Sequence, residues 1–202
     1  QLSQCRSIDE VISGLKGTIY YSPLESLRQK GQAVLPACET AVDMLYFKTV
    51  WKIKEKYLSG QEKKDLTQCF GTRMDMLNLQ WICRAKKYYH LPEGEIYAMI
   101  IPISLHLKKT EIRAMAQAED VEQVYALIRN SWYGRLDLGN LEKGQSLEEP
   151  CREVIDRIYE LTSRKEPYSA SVLNSYLYFK EREIEKIITT IERIRYGVAA
   201  GI

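Results

Sequence analysis

The feature that most constrains the fold is an internal repeat, in which residues 7–46 align without a gap with residues 120–159 at an offset of 113. Eight of the 40 aligned pairs are identical, and the similar pairs follow the apolar periodicity. Chance likeness between two amphipathic helices is the alternative. The identical Lys-Gly-Gln at 30–32 and 143–145 argues against it, because this tripeptide falls in a predicted loop, where amphipathicity imposes no pattern.

Each copy begins with a capping residue, Ser7 or Asp120, and a matching acid or amide three residues later. Strand patterns are almost absent, so the chain is predicted to be all-α, with pseudo-repeated helical units. Gly71 is expected to weaken the second long helix, and Pro102 to break the chain after it. The predicted helices cover about 7–16, 36–58, 62–88, 93–101, 108–118 and 169–196, with another starting at the capping box Ser22-Pro23-Leu24-Glu25.

The repeat divides the chain into an incomplete first helical unit, 1–90, and a second unit, 91–202, that ends in a long C-terminal helix. Because residues 1–46 correspond to the middle of a unit, we expect a complete chain to extend by about one further repeat towards the N-terminus. We also expect an exposed apolar patch near residues 8–46.

The last helix is predicted to run from the N-cap Ser169 to Tyr196 and to stop at Gly197. Its apolar residues lie at helical spacing and are predicted to form one buried stripe. Lys180 interrupts that stripe. We hypothesise that it pairs with Asp156, or failing that with its repeat equivalent Asp43, the alternative being that its stem snorkels to water. The stripe comprises Leu173, Tyr176, Leu177, Ile184, Ile187, Ile188, Ile191 and Ile194.

Composition excludes several classes of protein. The net charge of +2 lacks the basic excess of a dedicated nucleic-acid binder. The longest strongly apolar run, 98–103, is far shorter than the roughly 20 residues of a spanning helix. The five cysteines form no C-x-x-C pair and are interpreted as reduced thiols in a cytosolic protein.

Motifs for catalysis are lacking. No phosphate-binding loop, dinucleotide fingerprint, nucleophile elbow or H-E-x-x-H occurs, and His90 and His106 are interpreted as surface residues. Glu181 and Glu183 point in different directions on one helix, so a solvated charged face is favoured over acid–base chemistry. The basic and aromatic run 84–90 could suit a nucleic acid, but a helix C-terminus explains it better.

Four motifs together resemble the C subunit of V-type and archaeal-type rotary ATPases, known in eukaryotes as the d subunit, here truncated at its N-terminus. The chain departs from the family pattern at two places. Ile103 stands where the family has Gly after the Ile-Pro turn, and Lys186-Ile187 stand where it has Asn-Ile after the last Glu-Ile pair. The motifs are MDMLNL with CRAK (74–86), LPEGEIYAMIIP (91–102), DVEQVYALIRNSWYG (120–134) and SYLYFKEREI (175–184).

The resemblance implies three pseudo-equivalent helical domains and a non-catalytic central-stalk component. Such a protein couples the rotating shaft to the membrane rotor ring for ion transport. The implied partners are the D- and F-type shaft subunits and the proteolipid ring. The implied location is the cytoplasmic face of the membrane, without insertion into it. The resemblance implies no nucleic-acid partner, no cofactor, no metal and no homo-oligomer. The structural polar candidates are Asp43, Asp75, Asn78, Arg84, Asp156 and Lys180.

Two other functions are open at this stage. One is a helical-repeat scaffold unrelated to rotary motors, and the other is an all-α enzyme whose site an absent N-terminal unit completes. The enzyme would need a pocket with perturbed titratable groups, and the sequence shows no such cluster.

Overall fold

The computed structural model describes residues 2–136, 138, 146–165 and 167–197. Within these residues the chain is helical and has no β-strand, which confirms the predicted all-α class. 3₁₀ turns at Leu2–Gln4 and Trp132–Arg135 and a π-helical turn at Ala85–Tyr89 accompany the α-helices of the described residues. The α-helices are α1 (Ile8–Gly14), α2 (Tyr21–Gln29), α3 (Leu35–Tyr57), α4 (Gly60–Arg84), α5 (Glu93–Met99), α6 (Lys109–Gln117), α7 (Val121–Asn130), α8 (Glu148–Ser163) and α9 (Ala170–Arg195).

The two copies of the repeat share their cap geometry. Ser7 Oγ accepts from the amide of Glu10 at 3.2 Å, and Asp120 Oδ1 accepts from the amide of Gln123 at 2.8 Å. The side chains of Glu10 and Gln123 in turn each accept from the amide of the residue that precedes the N-cap. α1 and α7 therefore begin in the same way, 113 residues apart.

The turn after each of these helices is also built alike. Thr18 Oγ1 donates to the carbonyl of Leu15, and Ser131 Oγ donates to the carbonyl of Ile128, both at 2.7 Å. Each hydroxyl then accepts from the amide two residues on, that of Tyr20 or Tyr133. α3 and α8 likewise start at an offset of 113, but α3 continues to Tyr57 whereas α8 ends at Ser163. The equivalence therefore ends within these helices.

α4 is the central element of the main core. It packs most extensively on α8 and also contacts α3, α5, α7 and α9. The core draws residues from α4 through α9, so it includes both sides of the proposed unit boundary at residue 90. A smaller cluster around Ile12, Leu24 and Cys38 joins α1, α2 and α3.

Gly71 does not break α4. A Cβ at this position would lie 2.8 Å from Leu105 Cβ, so the glycine allows the chain after Pro102 to pack closely against the helix. The expected break at Pro102 does occur, between α5 and α6. The Ser22 capping box is wrong, because α2 starts at Tyr21 and its N-cap, Tyr20, makes no side-chain cap bond.

The predicted buried stripe of α9 is also wrong. All eight of its residues are more than half exposed, and the helix instead buries Ser171, Ser175 and Tyr178. Small serines let α9 approach α8, where Ser175 Oγ donates to the carbonyl of Tyr159 and the rings of Tyr159 and Tyr178 stack at 4.1 Å. From residue 183 to the end of the helix every side chain is exposed. This part of α9 therefore projects from the described body as an arm, which we call the α9 arm (183–195).

The cysteines provide a test of this packing. Burial raises the pKa of Cys69 to about 11 and that of Cys83 to about 12. Cys5 is partly exposed. We expect iodoacetamide to alkylate Cys5 in the native protein and to leave Cys69 and Cys83 unmodified until urea unfolds it, as measured by peptide mass spectrometry. Equal alkylation of all three sites without urea would contradict the packing.

These thiols also set a pH dependence. A buried thiol stays protonated in the folded state, whereas an unfolded one ionises near its ordinary pKa of about 9. The unfolded state therefore releases more protons, and the free energy of unfolding falls as the pH rises from about 9 towards 11.

Candidate functional site

The most connected polar group lies where α4 meets the segment between α5 and α6. Asp75 is fully buried, and its carboxylate accepts hydrogen bonds from the amides of Leu105, His106 and Leu107 at 2.8–3.3 Å. The hydroxyl of Tyr133, from the turn after α7, donates to Asp75 Oδ2 at 2.8 Å. One carboxylate thus binds three parts of the chain together.

Asn78 makes the second polar contact on this face of α4. Its Oδ1 accepts from the amide of Ile101 at 2.8 Å, and its Nδ2 donates to the carbonyl of the same residue at 3.1 Å. The side chain thereby satisfies both backbone groups immediately before the Pro102 break. Asp75 and Asn78 lie three residues apart, so they face the same side of the helix.

The hydrogen bonds of Asp75 hold neighbouring parts of the chain together, and we call such a polar junction a clamp. Burial raises the pKa of Asp75, while the donated hydrogen bonds act in the opposite direction. His106 is not the surface residue expected from the sequence: its ring stacks on Trp132 at 3.6 Å, and burial lowers its pKa. The donors around Asp75 are engaged within the protein, so this arrangement joins α4 to the segment between α5 and α6 and to the turn after α7.

A second clamp joins α8 to α9. Asp156 accepts a hydrogen bond from the Tyr178 hydroxyl at 2.7 Å and pairs with the guanidinium of Arg182. The expected pairing of Lys180 with Asp156 is therefore wrong. Lys180 is exposed and pairs with Glu183 at 2.6 Å. At 100° per residue, Tyr178 and Arg182 lie on the buried face of α9, and Lys180 does not.

Arg182 and Lys180 allow a direct comparison of a mostly buried and an exposed cation on one helix. Arg182→Met should lower the free energy of unfolding by about 1.5–3 kcal/mol, because Asp156, 27% exposed, loses its charged donor. Lys180→Met should leave it nearly unchanged, since its pair with Glu183 is solvent-exposed. Urea unfolding followed by circular dichroism measures both. A larger effect of Lys180→Met would contradict the assignment.

The remaining polar candidates lie near the end of α4. Arg84 pairs with Glu148, at the start of α8, at 2.5 Å, and both side chains are about half exposed. Asp43, on α3, is exposed and lines a cavity beside Arg84. The structure therefore places Asp75, Asn78 and Asp156 in clamps, and Asp43, Arg84 and Lys180 on the surface.

Sequence reasoning missed a buried lysine and a buried aspartate. Lys54 Nζ lies 3.5 Å from the ring centroid of Trp51, bonds to Thr67 Oγ1 at 2.6 Å and pairs with Glu55 at 2.7 Å. Asp65 pairs with Lys165 at 2.8 Å across 100 residues of sequence. Lys54 sits one turn beyond Trp51 on α3, and that spacing is the one sequence signal that could have found it.

An extended apolar face lies exposed on the outer side of α9. The eight stripe residues, Leu173 to Ile194, cover about 32 Å of helix at 1.5 Å per residue. A groove of 680 Å³ runs beside its first half, where Leu177 and Ile184 face Tyr46 and Phe70 of α3 and α4. A continuous apolar surface of this kind marks a site of interaction with another macromolecule.

Other classes of site are not found in the described residues. No group of three or more His, Cys, Asp or Glu side chains there could hold a metal ion. None of the helices in these ranges is long and apolar enough to cross a membrane.

Comparison with known proteins adds independent information. The profile of the ATP synthase (C/AC39) subunit family matches residues 1–201. The chain is 26% identical to the C subunit of the A-type ATP synthase of Pyrococcus abyssi, over 98% of this chain and 54% of that protein. It is 27% identical to the protein of the same name from Pyrococcus horikoshii, over 91% of this chain and 50% of that protein. The protein of that name from Methanothermobacter thermautotrophicus is 24% identical, over 92% of this chain and 50% of its own length. The chain thus spans about half the length of these relatives.

Proposed function

The chain belongs to the ATP synthase (C/AC39) subunit family, and from that premise we propose that it is a non-catalytic central-stalk subunit of a rotary ATPase. In this role it couples the rotating shaft, built of D- and F-type subunits, to the proteolipid ring. It sits on the cytoplasmic face of the membrane without inserting. The observation that carries this proposal beyond the family is the α9 arm, an exposed helix end with an apolar stripe.

The apolar face of the arm favours a partner. Most helical stability in proteins comes from packing of an apolar face, and none of the described residues covers this one. The stripe contributes five isoleucines to the arm, at 184, 187, 188, 191 and 194, each more than half exposed. Each isoleucine buried would contribute about 1.5–3 kcal/mol. We infer that the arm packs against a neighbouring subunit of the assembly.

The rest of the molecule suits the transmission of torque. α4 has 25 residues, about 37 Å of continuous helix, and contacts most of the other helices. The Asp75 and Asp156 clamps fix the turn after α7 and helices α8 and α9 around it. Such a frame resists deformation because its elements are cross-linked by buried polar contacts as well as by apolar packing.

Affinity purification tests the proposed function. The tagged protein, expressed in its source cell and extracted from membranes in mild detergent, should bring down the shaft and ring subunits together in constant ratio. Mass spectrometry identifies and quantifies them. Recovery without any rotary subunit would instead favour a helical-repeat scaffold.

A further inference from the structure

A cavity of 340 Å³ opens between the first half of α3, the end of α4 and α5. Its aromatic lining comes from Trp81 and Tyr89, and its acidic lining from Glu39 and Asp43, one helical turn apart on α3. The rings of Phe47 and Trp81 pack edge to face, with 6.3 Å between centroids, so the indole is held in place. The cavity therefore combines the fixed indole of Trp81 and the exposed ring of Tyr89 with two carboxylates.

The repeat supplies a precedent for what such a carboxylate binds. Asp43 and Asp156 are each the ninth residue of their helices, which start at residues 35 and 148. In the second unit, Asp156 holds the guanidinium of Arg182. The carboxylate of Asp43 makes no hydrogen bond or ion pair with any residue in the described ranges. The first unit thus has the carboxylate without the cation.

The cavity has one basic side chain on its rim, and that side chain is engaged elsewhere. Arg84 lines the cavity, but its guanidinium pairs with Glu148 of α8 at 2.5 Å. Glu39, like Asp43, has no such contact with any described residue. Two carboxylates therefore face the cavity, and no described residue pairs with either of them.

We propose that this cavity binds an arginine side chain presented by a protein partner. A guanidinium is planar, so it can donate two hydrogen bonds to a carboxylate while its face stacks on an aromatic ring. The π-helical turn Ala85–Tyr89 ends α4 and brings Tyr89 to the cavity wall. The site lies on α3 and α4 rather than on the α9 arm, so it can fail while the proposed function holds.

Nuclear magnetic resonance tests the recognition chemistry. The chain has three tryptophans, and their indole N–H signals can be assigned with Trp81→Phe. Titration with N-acetyl-arginine amide should shift the Trp81 signal saturably and leave those of Trp51 and Trp132 in place. N-acetyl-citrulline amide, which has nearly the same shape and no charge, should give no saturable shift.

Two variants link the shift to the carboxylate. Asp43→Asn should weaken arginine-amide binding at least about tenfold, because it removes a charge-assisted hydrogen bond. Glu153→Gln, an exposed mid-helix acid of α8 outside the cavity, should leave it unchanged. An equal response to citrulline, or full binding by Asp43→Asn, would overturn the proposal.

A cross-link distinguishes a protein partner from a small cation. A photo-reactive benzoylphenylalanine at Thr40, on the cavity wall, should cross-link in the purified complex to one segment that contains an arginine. Replacing that arginine by alanine should lower the cross-linking yield as much as Asp43→Asn does. The proposal is overturned if the complex gives no cross-link or if the captured segment does not depend on an arginine.

Discussion

Replacing Asp75 with alanine is expected to lower the free energy of unfolding by about 3–5 kcal/mol. The carboxylate is fully buried and accepts from three backbone amides and the Tyr133 hydroxyl. Without it, these donors stay buried and lose their acceptor, at about 1–3 kcal/mol for each group that water cannot reach. Urea unfolding at neutral pH measures the loss.

Two further variants identify the cause of that loss. Tyr133→Phe removes one of the four donors and leaves the carboxylate bound to the amides, so we expect a loss of about 1 kcal/mol. Glu153→Ala, at an exposed position on α8, should stay within about 0.5 kcal/mol of the parent protein. If Asp75→Ala were no more harmful than Glu153→Ala, the junction could not hold α4 to the segments that contain His106 and Tyr133.

The second large effect concerns assembly. Ile187→Glu combined with Ile191→Glu places two carboxylates on the apolar face of the α9 arm. Because burying an unpaired charge costs several kcal/mol, we expect binding to the rotary complex to weaken at least about 100-fold. The free energy of unfolding should change little, since both side chains are already exposed. The amount of the protein retained per complex after gel filtration measures the binding.

A charge-matched control lies on the opposite side of the same turns. Lys186→Gln combined with Arg193→Gln changes the net charge by the same −2, and neither residue belongs to the apolar stripe. This variant should remain in the complex. Equal loss of both double variants would show that net charge, and not the apolar face, governs association.

The repeat made much of the fold predictable, because its signals are local. Ser7 and Asp120 cap their helices as expected, and the turns that end in Tyr20 and Tyr133 have the same hydrogen bonds. Such contacts form between residues two to four apart, so the sequence pattern contains both partners. The break at Pro102 was predictable for the same reason.

Which face of α9 is buried could not be predicted from the sequence pattern. Periodicity finds an apolar stripe but does not reveal whether the same polypeptide covers it. In this chain the buried contacts of α9 come from serines and a tyrosine, with Arg182 held by Asp156. Lys180 conflicts only with a buried stripe; on an exposed face, a lysine paired with Glu183 is ordinary.

The same distinction between local and long-range contacts applies to the candidate site. The residues of the family motif, Asp75 and Asn78, could be selected from the sequence, but their partners lie 23 to 58 residues away. The burial of Lys54 could not be predicted, because a single lysine in an amphipathic helix is normally solvated. Its burial depends on Trp51 and on Thr67 of the next helix. Contacts between distant elements require the packed structure.

The most direct test of the proposed function is a measurement of coupling in inverted membrane vesicles that lack this protein. ATP hydrolysis by the catalytic head should persist, and ATP-driven ion transport should be absent until the purified protein is added back. Add-back of the Ile187→Glu, Ile191→Glu variant should not restore transport, whereas the Lys186→Gln, Arg193→Gln control should. Full ATP-driven transport in vesicles without the protein would contradict its role as the link between shaft and ring.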